Sequence, residues 1–225
     1  MCGRYTLSVP LSNLVDAFDV HPPDFGYPPR FNIAPTQDAP VIAQDQEGRR
    51  MGLLRWGLIP SWAKDPAIGS RMINARSETV AEKPAFRRAF QRRRCLVPAD
   101  GFFEWRRDSG EGAAKGPKTP YWIHLAGRAP FVMAGLWERW DPEGAAPLYS
   151  FTILTTEAAP AIEEIHPRMP VILPAGARDR WLDPAATSEE LLPLLLPLRE
   201  GIESYPVSSR VNSPGNDLPE CIEPA

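Results

Sequence analysis

Short apolar runs, many of them with alternating polar positions, recur along this sequence and predict a protein built mainly from β-strands. Glycine and proline separate these runs at short intervals, a pattern typical of turns. Short strands punctuated in this way are typical of antiparallel sheet. The predicted strands are residues 3–7, 40–44, 52–56, 95–98, 101–105, 121–125, 131–137 and 149–155, followed by a short one at residues 171–173.

Helical periodicity is less frequent. Residues 11–18, 84–90, 159–165 and 177–182 have helical signals. Thr187 is predicted to begin a further helix, because Glu190 stands three residues later and completes a capping box. Pro193 and Pro197 keep this helix short, since proline within a helix removes a backbone donor. A glycine-rich segment, residues 110–119, is predicted to be a flexible hairpin loop.

The order of these elements indicates the fold class. Strands dominate and do not alternate regularly with helices, so the pattern favours an α+β fold on antiparallel sheet over a doubly wound fold. A length of 225 residues with 43% hydrophobic content suffices for one large core. We therefore expect residues 1–225 to form a single domain, and we expect the protein to be a monomer.

The charges along the chain are segregated. Between Arg49 and Arg107 the sequence has 14 lysine and arginine residues against 5 aspartate and glutamate residues, although the whole chain has a formal net charge of −3. Such segregation favours a basic binding surface on an otherwise acidic protein. No apolar run approaches the ~18 residues that a membrane span needs, so we expect a cytoplasmic protein without a membrane partner.

The use of cysteine argues against two common kinds of site. The three cysteines, Cys2, Cys95 and Cys221, are odd in number, lack a C-x-x-C spacing and accompany only three histidines. A disulfide framework and a zinc site are therefore both unexpected. We expect no metal and no other cofactor.

Cys2 stands directly behind Met1. Removal of Met1, which we expect because the second side chain is small, leaves an α-amine and a thiol on one residue. Such a 1,2-aminothiol captures an aldehyde by forming an imine, to which the thiolate then adds to close a thiazolidine ring. Alternatively, the thiol attacks an acyl carbon with the amine as its base. The unperturbed pKa values are about 7.7–8.0 for the amine and about 8.5 for the thiol, so a useful site has to tune both.

Glu104 is a candidate general acid or base. In the predicted strand 101–105, the two-residue period places Glu104 with Phe102 on one face and Phe103 with Trp105 on the other. Three aromatic neighbours predict partial desolvation, which raises the pKa of a carboxyl group towards neutrality. A lone histidine such as His166, between a predicted helix and a strand, is more often structural than chemical, because a cation is favourable at a helix C-terminus.

Several stretches of the sequence together resemble the SRAP family, the SOS-response-associated peptidase domains. They cover the chain from end to end and occur in order, so the resemblance is specific. They are MCGRYT at 1–6, FNIAPTQ at 31–37, RWGLIPSWAKD at 55–65, NARSET at 74–79, RRCLVPADGFFEW at 93–105, HPRMPVIL at 166–173, and VN with NDLPECI at 211–222. The resemblance implies an α+β domain on an antiparallel, partly barrel-like sheet with a few short helices.

The resemblance also implies a function in the DNA-damage (SOS) response. SRAP proteins protect abasic sites in single-stranded DNA, which implies that Cys2 forms a thiazolidine with the ring-opened sugar. The resemblance further implies that Asn74 positions the sugar or imine, that Glu104 transfers protons during ring opening and imine formation, and that His166 assists thiol addition and its reversal. The peptidase of the family name refers to residues ahead of the cysteine, here Met1.

The DNA contacts and the location follow from the same resemblance. Four arginines are expected to hold phosphates, and two tryptophans and a proline to flank the distorted strand. These residues are Arg4, Arg76, Arg87 and Arg88, with Trp56, Trp62 and Pro35. In a bacterium the protein is expected at the nucleoid during repair. The position after His166 departs from the family pattern, because Pro167 stands where a polar residue such as aspartate is expected.

Two other functional classes remain compatible with the residues. Met-Cys-Gly also opens N-terminal-nucleophile amidohydrolases, whose thiol transfers acyl groups and which have no need of a basic stretch interleaved with tryptophans. A non-catalytic binder of single-stranded nucleic acid uses the same arginines and aromatic residues for phosphate contact and base stacking. Such a binder has no need of Cys2 at the terminus.

Overall fold

The computed structural model describes residues 2–107 and 116–225. Within these ranges the chain forms twelve strands and four α-helices, with short 3-10 helices between them. The strands are β1 (Tyr5–Leu7), β2 (Arg30–Ile33), β3 (Asp38–Asp45), β4 (Gly48–Trp56), β5 (Asn74–Arg76), β6 (Arg94–Ala99), β7 (Gly101–Arg107), β8 (Lys118–Leu125), β9 (Phe131–Trp140), β10 (Leu148–Glu157), β11 (Arg168–Pro170) and β12 (Ile202–Pro206). The helices are α1 (Leu11–Phe18), α2 (Arg87–Arg92), α3 (Ala175–Leu182) and α4 (Ser188–Leu191).

The eight longer strands predicted from the sequence are confirmed, with ends that differ by a few residues. The short strands β2, β5 and β12 were not predicted, because a few residues are too short a window for a period-2 pattern. The strand expected at residues 171–173 lies earlier, as β11, where the chain pairs with β10. Ile172 itself makes only an isolated bridge with Met133.

Most of the predicted helices are confirmed. α1 has its predicted bounds, and α4 follows Thr187 with the capping box in place. The helix predicted at residues 159–165 is wrong, since this segment consists of successive turns. The Ala158 amide donates to the Pro167 carbonyl oxygen, which closes the segment into a loop. Most of the hairpin loop predicted at residues 110–119 lies outside the described residues.

Five strands close into a barrel. β10 pairs with β4, β4 with β3, β3 with β6, β6 with β9, and β9 returns to β10. Every pair in this ring is antiparallel except β4 with β10, which run parallel. β5 and β11 extend the barrel by pairing with opposite edges of the second half of β10. The predicted α+β class and partly barrel-like sheet are confirmed.

A second antiparallel sheet, with the strand order β12-β8-β7-β1-β2, is joined to the barrel through Asp100, the residue between β6 and β7. The buried Asp100 carboxylate accepts hydrogen bonds from the Thr6 hydroxyl at 2.5 Å and the Ser8 amide at 2.7 Å. Gly101 is needed next to it, because a Cβ there would lie 2.2 Å from the indole nitrogen of Trp122. This corner fixes β1, and with it the first residues of the chain, at the junction of the two sheets.

The C-terminal segment, residues 208–222, folds back onto the strands beside the start of the chain. The side-chain amide of Asn32 on β2 donates to the carbonyl oxygens of Val211 and Asn216 at 3.2 and 2.8 Å. The Asp217 carboxylate accepts the backbone amide of Asn32 at 2.9 Å. These contacts join residues that are almost the whole chain apart.

Candidate active site

Cys2 lies just ahead of β1 and is fully buried. The antiparallel register of β1 and β7 sets Tyr5 opposite Phe102. Continued towards the start of the chain, this register sets Gly3 opposite Glu104, and Cys2 is the next residue along. The electrostatic influence of Glu104 on the Cys2 thiol agrees with this placement.

Asn74 joins Cys2 to the barrel. It begins β5, which pairs in parallel with β10 at Ile153. The Asn74 side-chain nitrogen donates to the Cys2 carbonyl oxygen at 2.7 Å. Its side-chain oxygen is buried and has no hydrogen-bond partner among the described residues. Because buried polar atoms are usually paired, this oxygen is an acceptor available to a bound molecule.

Glu104 lies on β7 and is almost completely buried. It shares its face of the strand with Phe102, whereas Phe103 and Trp105 pack on the other face with a smaller apolar cluster. Burial raises the pKa of the Glu104 carboxyl group to about 7. The desolvation expected from the aromatic neighbours is therefore confirmed, and the group is present in both protonation states at neutral pH.

His166 lies against Glu104, with 3.8 Å between its Nδ1 and the carboxylate Oε1. The same Nδ1 lies 3.0 Å from both the backbone nitrogen and the carbonyl oxygen of Arg168. Nδ1 is therefore able either to accept a hydrogen bond from the Arg168 amide or to donate one to the Arg168 carbonyl oxygen. Either nitrogen of the neutral ring is thus able to carry the proton. Pro167 has no backbone N–H to donate to the ring, and the amide of Arg168, the next residue, donates instead. Burial lowers the pKa of His166, which keeps the ring neutral at pH 7.

The thiol of Cys2 needs a base. Burial raises the pKa of this thiol well above its ordinary value, and the Glu104 carboxylate raises it further. The thiol is therefore protonated at neutral pH and has to lose its proton before the sulfur attacks. A neutral imidazole and a carboxyl group with a pKa of about 7 are both present to exchange that proton. The site is equipped for acid–base chemistry around a nucleophilic sulfur.

The four residues predicted to be catalytic are thus close to one another. A hydrogen bond joins Cys2 to Asn74, Glu104 lies against His166, and the charge of Glu104 acts on the Cys2 thiol. The chemical roles of these residues stay predictions. Among the described residues, no three His, Cys, Asp or Glu side chains are grouped so that they could hold a metal ion.

The prediction that Trp56 stacks on DNA is wrong. Its side chain is 0% exposed and lies in the main core. The indole makes an edge-to-face contact with Tyr5, is stacked on Phe151 with 6.3 Å between ring centroids, and donates to the Ile73 carbonyl oxygen at 2.9 Å. A ring enclosed on all sides has no face to offer a base. The place of Trp56 on the inward face of a barrel strand could not be seen in a sequence where several tryptophans stand together.

Trp62 and Pro35 are placed differently. Trp62 is 59% exposed, an unusual state for so large an apolar side chain. Pro35 is half-buried and precedes Thr36, whose φ of 72° is rare for a β-branched residue. Backbone strain of this kind is typical of functional loops. Both positions remain accessible for the DNA contacts predicted of them.

The four arginines predicted to bind phosphates fall into two groups. Arg76, Arg87 and Arg88 are exposed. Arg4 instead donates to the Asn32 side-chain oxygen at 2.9 Å and to carbonyl oxygens of the C-terminal segment. These hydrogen bonds from its guanidinium hold the C-terminal segment in place. The contact of Arg4 with phosphate stays a prediction.

The basic stretch between residues 49 and 107 is less basic at the surface than its count of charges indicates. Arg49 forms an ion pair with Asp179, and Arg93 forms one with Glu138. Arg94 is buried and donates to four backbone carbonyl oxygens. Partners far away in the sequence therefore neutralise part of the stretch, which leaves a smaller set of exposed arginines for binding.

Sequence reasoning missed Asn212 beside the site. Its side-chain oxygen accepts from the Trp105 indole at 2.7 Å, and its carbonyl oxygen accepts from Arg4 at 3.2 Å. Asn212 therefore links the strand that carries Glu104 to the segment that carries Cys2. Its only signal in the sequence was its place in the motif VN, to which no role was assigned.

In the part of the chain that the structure describes, none of the helices combines the length and the apolarity needed to cross a membrane.

Comparison with known proteins agrees with the motifs. The sequence profile of the family described as SOS response associated peptidase (SRAP) matches residues 1–214. The chain is 46% identical to abasic site processing protein YoaM of Bacillus subtilis, over 99% of this chain and 98% of that protein. It is 34% identical to abasic site processing protein HMCES of Xenopus tropicalis, over 87% of this chain and 66% of that protein.

Solved structures share the fold. A crystal structure of a protein from Bacteroides thetaiotaomicron has a TM-score of 0.88 and 26% sequence identity, with both chains covered completely. One from Bordetella bronchiseptica has a TM-score of 0.77 and 28% identity, over 92% of this chain and all of the other. With a family profile that spans most of its length and relatives this similar, the chain belongs to the SRAP family.

Proposed function

We propose that this protein processes abasic sites in single-stranded DNA by forming a thiazolidine between the ring-opened sugar and Cys2, once Met1 has been removed. The observation that carries the proposal is the grouping of Cys2 with Asn74, Glu104 and His166 at one buried site. The names of the relatives, abasic site processing proteins, support a role at abasic sites.

Glu104 opens the sugar in this mechanism. An abasic deoxyribose is mostly a closed hemiacetal, so its C1′ hydroxyl has to lose a proton while the ring oxygen gains one. A carboxyl group with a pKa of about 7 serves both transfers near neutral pH. The neutral α-amine of Cys2 then adds to the aldehyde carbon. Glu104 protonates the hydroxyl that leaves as water and then takes up the proton of the nitrogen, so that a neutral imine remains.

The thiol of Cys2 closes the ring. Its sulfur adds to the imine carbon, its proton passes to the neutral ring of His166, and the protonated carboxyl group of Glu104 gives a proton to the former imine nitrogen. The product is a thiazolidine with a C–S and a C–N bond to the sugar C1′. In the reverse direction, protonated His166 returns the proton to the sulfur. The side-chain oxygen of Asn74 accepts a hydrogen bond from the amine or a sugar hydroxyl, while its nitrogen fixes Cys2.

The DNA strand is held by exposed residues. Arg76, Arg87 and Arg88 bind phosphates, and Trp62 and Pro35 flank the strand at the abasic position. No base stacks at that position, so the nucleotide enters the site at little unstacking cost.

Further parts of the proposal concern the whole protein. Its peptidase activity removes residues ahead of Cys2, and the adduct-forming reaction makes it a lyase-like enzyme of DNA repair. The chain acts as a single-domain monomer in the cytoplasm, at the nucleoid when DNA is damaged.

A denaturing gel tests the proposal. Single-stranded oligonucleotides with and without one abasic site are incubated with the protein. We expect an adduct that resists heat and SDS with the abasic strand only, and none with Cys2→Ala or Cys2→Ser. One uncleavable residue added before Cys2 should block the adduct and leave binding intact. A normal yield of adduct from that extended variant would contradict the aminothiol chemistry.

The same experiment separates the other two classes. Binding of both oligonucleotides without any adduct would favour a non-catalytic binder. Hydrolysis of an amide substrate by the thiol, without an adduct, would favour an amidohydrolase.

A further inference from the structure

Arg168 and Glu78 form a side-chain clasp across β10, beside the candidate active site. Arg168 lies on β11 and Glu78 follows β5, and these strands pair with opposite edges of β10 at Thr155. The Arg168 Nη2 lies 3.0 Å from one carboxylate oxygen of Glu78, and Nη1 donates to the other. Nη2 also donates to the Thr155 carbonyl oxygen at 2.6 Å. One guanidinium therefore ties three neighbouring segments together.

The backbone of Arg168 holds the imidazole of His166. Its amide nitrogen and its carbonyl oxygen are both 3.0 Å from Nδ1. The position of this one residue therefore fixes where the Nδ1 edge of the ring lies. Pro167, between the two residues, contributes no amide of its own.

Burial and charge favour a structural use of the Arg168 guanidinium. Its side chain is 18% exposed, against 50% for Glu78. The hydrogen bond from Arg168 lowers the pKa of Glu78, so this carboxylate is charged at neutral pH. Because the guanidinium already has a bidentate carboxylate and a backbone acceptor, its contacts indicate a fixed anchor more than a vacant phosphate site.

We propose that Glu78 is a positioning residue, which acts through Arg168 to fix the imidazole of His166 for proton transfer. Glu78 belongs to the segment after β5, the strand that begins with Asn74. The expected effect on reaction rates rests on the proposed function. The expected effect on the position of the His166 ring rests on the geometry alone.

Single-turnover kinetics with saturating abasic single-stranded DNA test the effect on the reaction. We expect Glu78→Ala to form the adduct about 10- to 100-fold more slowly, because displacement of a reacting group by about 1 Å costs on the order of 10²-fold. Glu78→Gln keeps an acceptor for Arg168 and should restore most of the rate. Glu82→Ala is the matched control, since Glu82 lies in the same segment and no hydrogen bond or ion pair is seen for its side chain among the described residues.

A second background shows whether Glu78 acts through His166. In a His166→Gln protein the further change Glu78→Ala should alter the rate by less than about twofold, since two residues that act as one unit are not additive. A full additional loss in that background would overturn the proposal. Thermal melting of each variant identifies any that fail to fold, and Glu78→Asp, whose shorter side chain should also slow the reaction, then replaces Glu78→Ala in the comparison.

Nuclear magnetic resonance titration of His166 in the free protein tests the geometry without DNA. Burial lowers the pKa of this ring in the intact protein, and the charges of Lys118 and Arg168 lower it further. If Glu78→Ala lets the ring move into solvent, its pKa should rise towards the ordinary value. If the ring does not move, loss of the negative charge of Glu78 should lower the pKa of His166 instead. A lower or unchanged pKa in Glu78→Ala would overturn the proposal.

The binding of an intact single strand distinguishes the remaining possibility. A Glu78→Ala variant that binds this strand more tightly, and forms the adduct at the wild-type rate, would show that Glu78 competes with phosphate for Arg168. That result would overturn the positioning role. If the wild-type protein gives no adduct at all, the proposed function fails, whereas the titration still decides whether Glu78 fixes the ring.

Discussion

Glu104 is a carboxyl group whose environment determines its chemistry. Its apolar neighbours in the strand could be read from the alternation of residues 101–105, and burial does raise its pKa to about 7. The contact with His166 could not be read in this way, because the two residues are far apart in the sequence. Local patterns predict the environment of a single side chain better than they predict its partners.

Glu104→Gln should slow adduct formation by roughly 10²–10⁴-fold, because it removes a titrating acid–base group. The wild-type rate should change with pH around 7, and this inflection should be absent from the variant. Single-turnover rates between pH 5.5 and 9 measure both effects. Rates within a few-fold of the wild type would contradict the assignment of Glu104.

The same substitution should change how stability depends on pH. The pKa of Glu104 is raised in the folded protein, so the folded state binds more protons than the unfolded state between pH 4.5 and about 7. Stability is therefore lost as pH rises through this window. From pH 4.5 to 8 the wild type should lose roughly 3 kcal/mol more than Glu104→Gln. Urea unfolding at several pH values measures this difference, and parallel curves would contradict it.

Trp56 and Trp62 are a matched pair at the same scale. Trp56→Ala should destabilise the protein by about 3–5 kcal/mol, because it leaves a large cavity in the core. Trp62→Ala should leave stability almost unchanged and weaken binding of single-stranded DNA by about 1–3 kcal/mol, if the exposed ring stacks on a base. Urea unfolding and a binding titration on both variants check this. Equal effects of the two substitutions on DNA affinity at unchanged stability would contradict it.

At the scale of elements, the wrong helix and the misplaced strand have one cause. Residues 159–165 have the composition of a helix, but a hydrogen bond from the Ala158 amide to the Pro167 carbonyl oxygen closes the segment into a loop. β11 lies where pairing with β10 is available, and not where the apolar run is strongest. In both segments a contact with a distant part of the chain overrides the local preference.

α2 is the element on which the salt dependence of binding should be tested. Arg87 and Arg88 are exposed on it, and contact with a phosphate releases a counterion. Each Arg→Ala substitution should weaken binding to intact and abasic strands alike. It should also reduce the slope of log K against log salt by about 0.7, without changing the adduct-forming rate at saturating DNA.

Arg50→Ala is the control for this measurement. This substitution removes the same charge as those on α2, but the Arg50 guanidinium is already paired with Asp45 and Glu47. We expect the slope of this variant to be that of the wild type. If the salt slope is also unchanged for the alanine variants of Arg87 and Arg88, these arginines only face solvent and do not contact phosphate.

For the whole molecule, the fold class was predictable because most strands have a clear pattern of their own. The closure of the barrel was not, since it depends on the parallel pairing of β4 with β10. A strand pattern does not say which neighbour a strand has or in which direction that neighbour runs. The motifs indicated the four candidate catalytic residues, and Asn212 and the Glu78–Arg168 clasp became visible only with the side-chain contacts. That residues 1–225 form a single domain stays a prediction.

The return of the C-terminal segment onto β2 and Arg4 has a consequence for the newly made protein. Arg4 donates to the carbonyl oxygen of Val211, a residue 207 positions later. A ribosome makes the chain from its amino end, so Cys2 is synthesised long before Val211. Until residue 211 has been synthesised and has folded back, the segment ahead of β1 lacks this anchor. The surroundings of Cys2 therefore become complete only after residue 211 has been added.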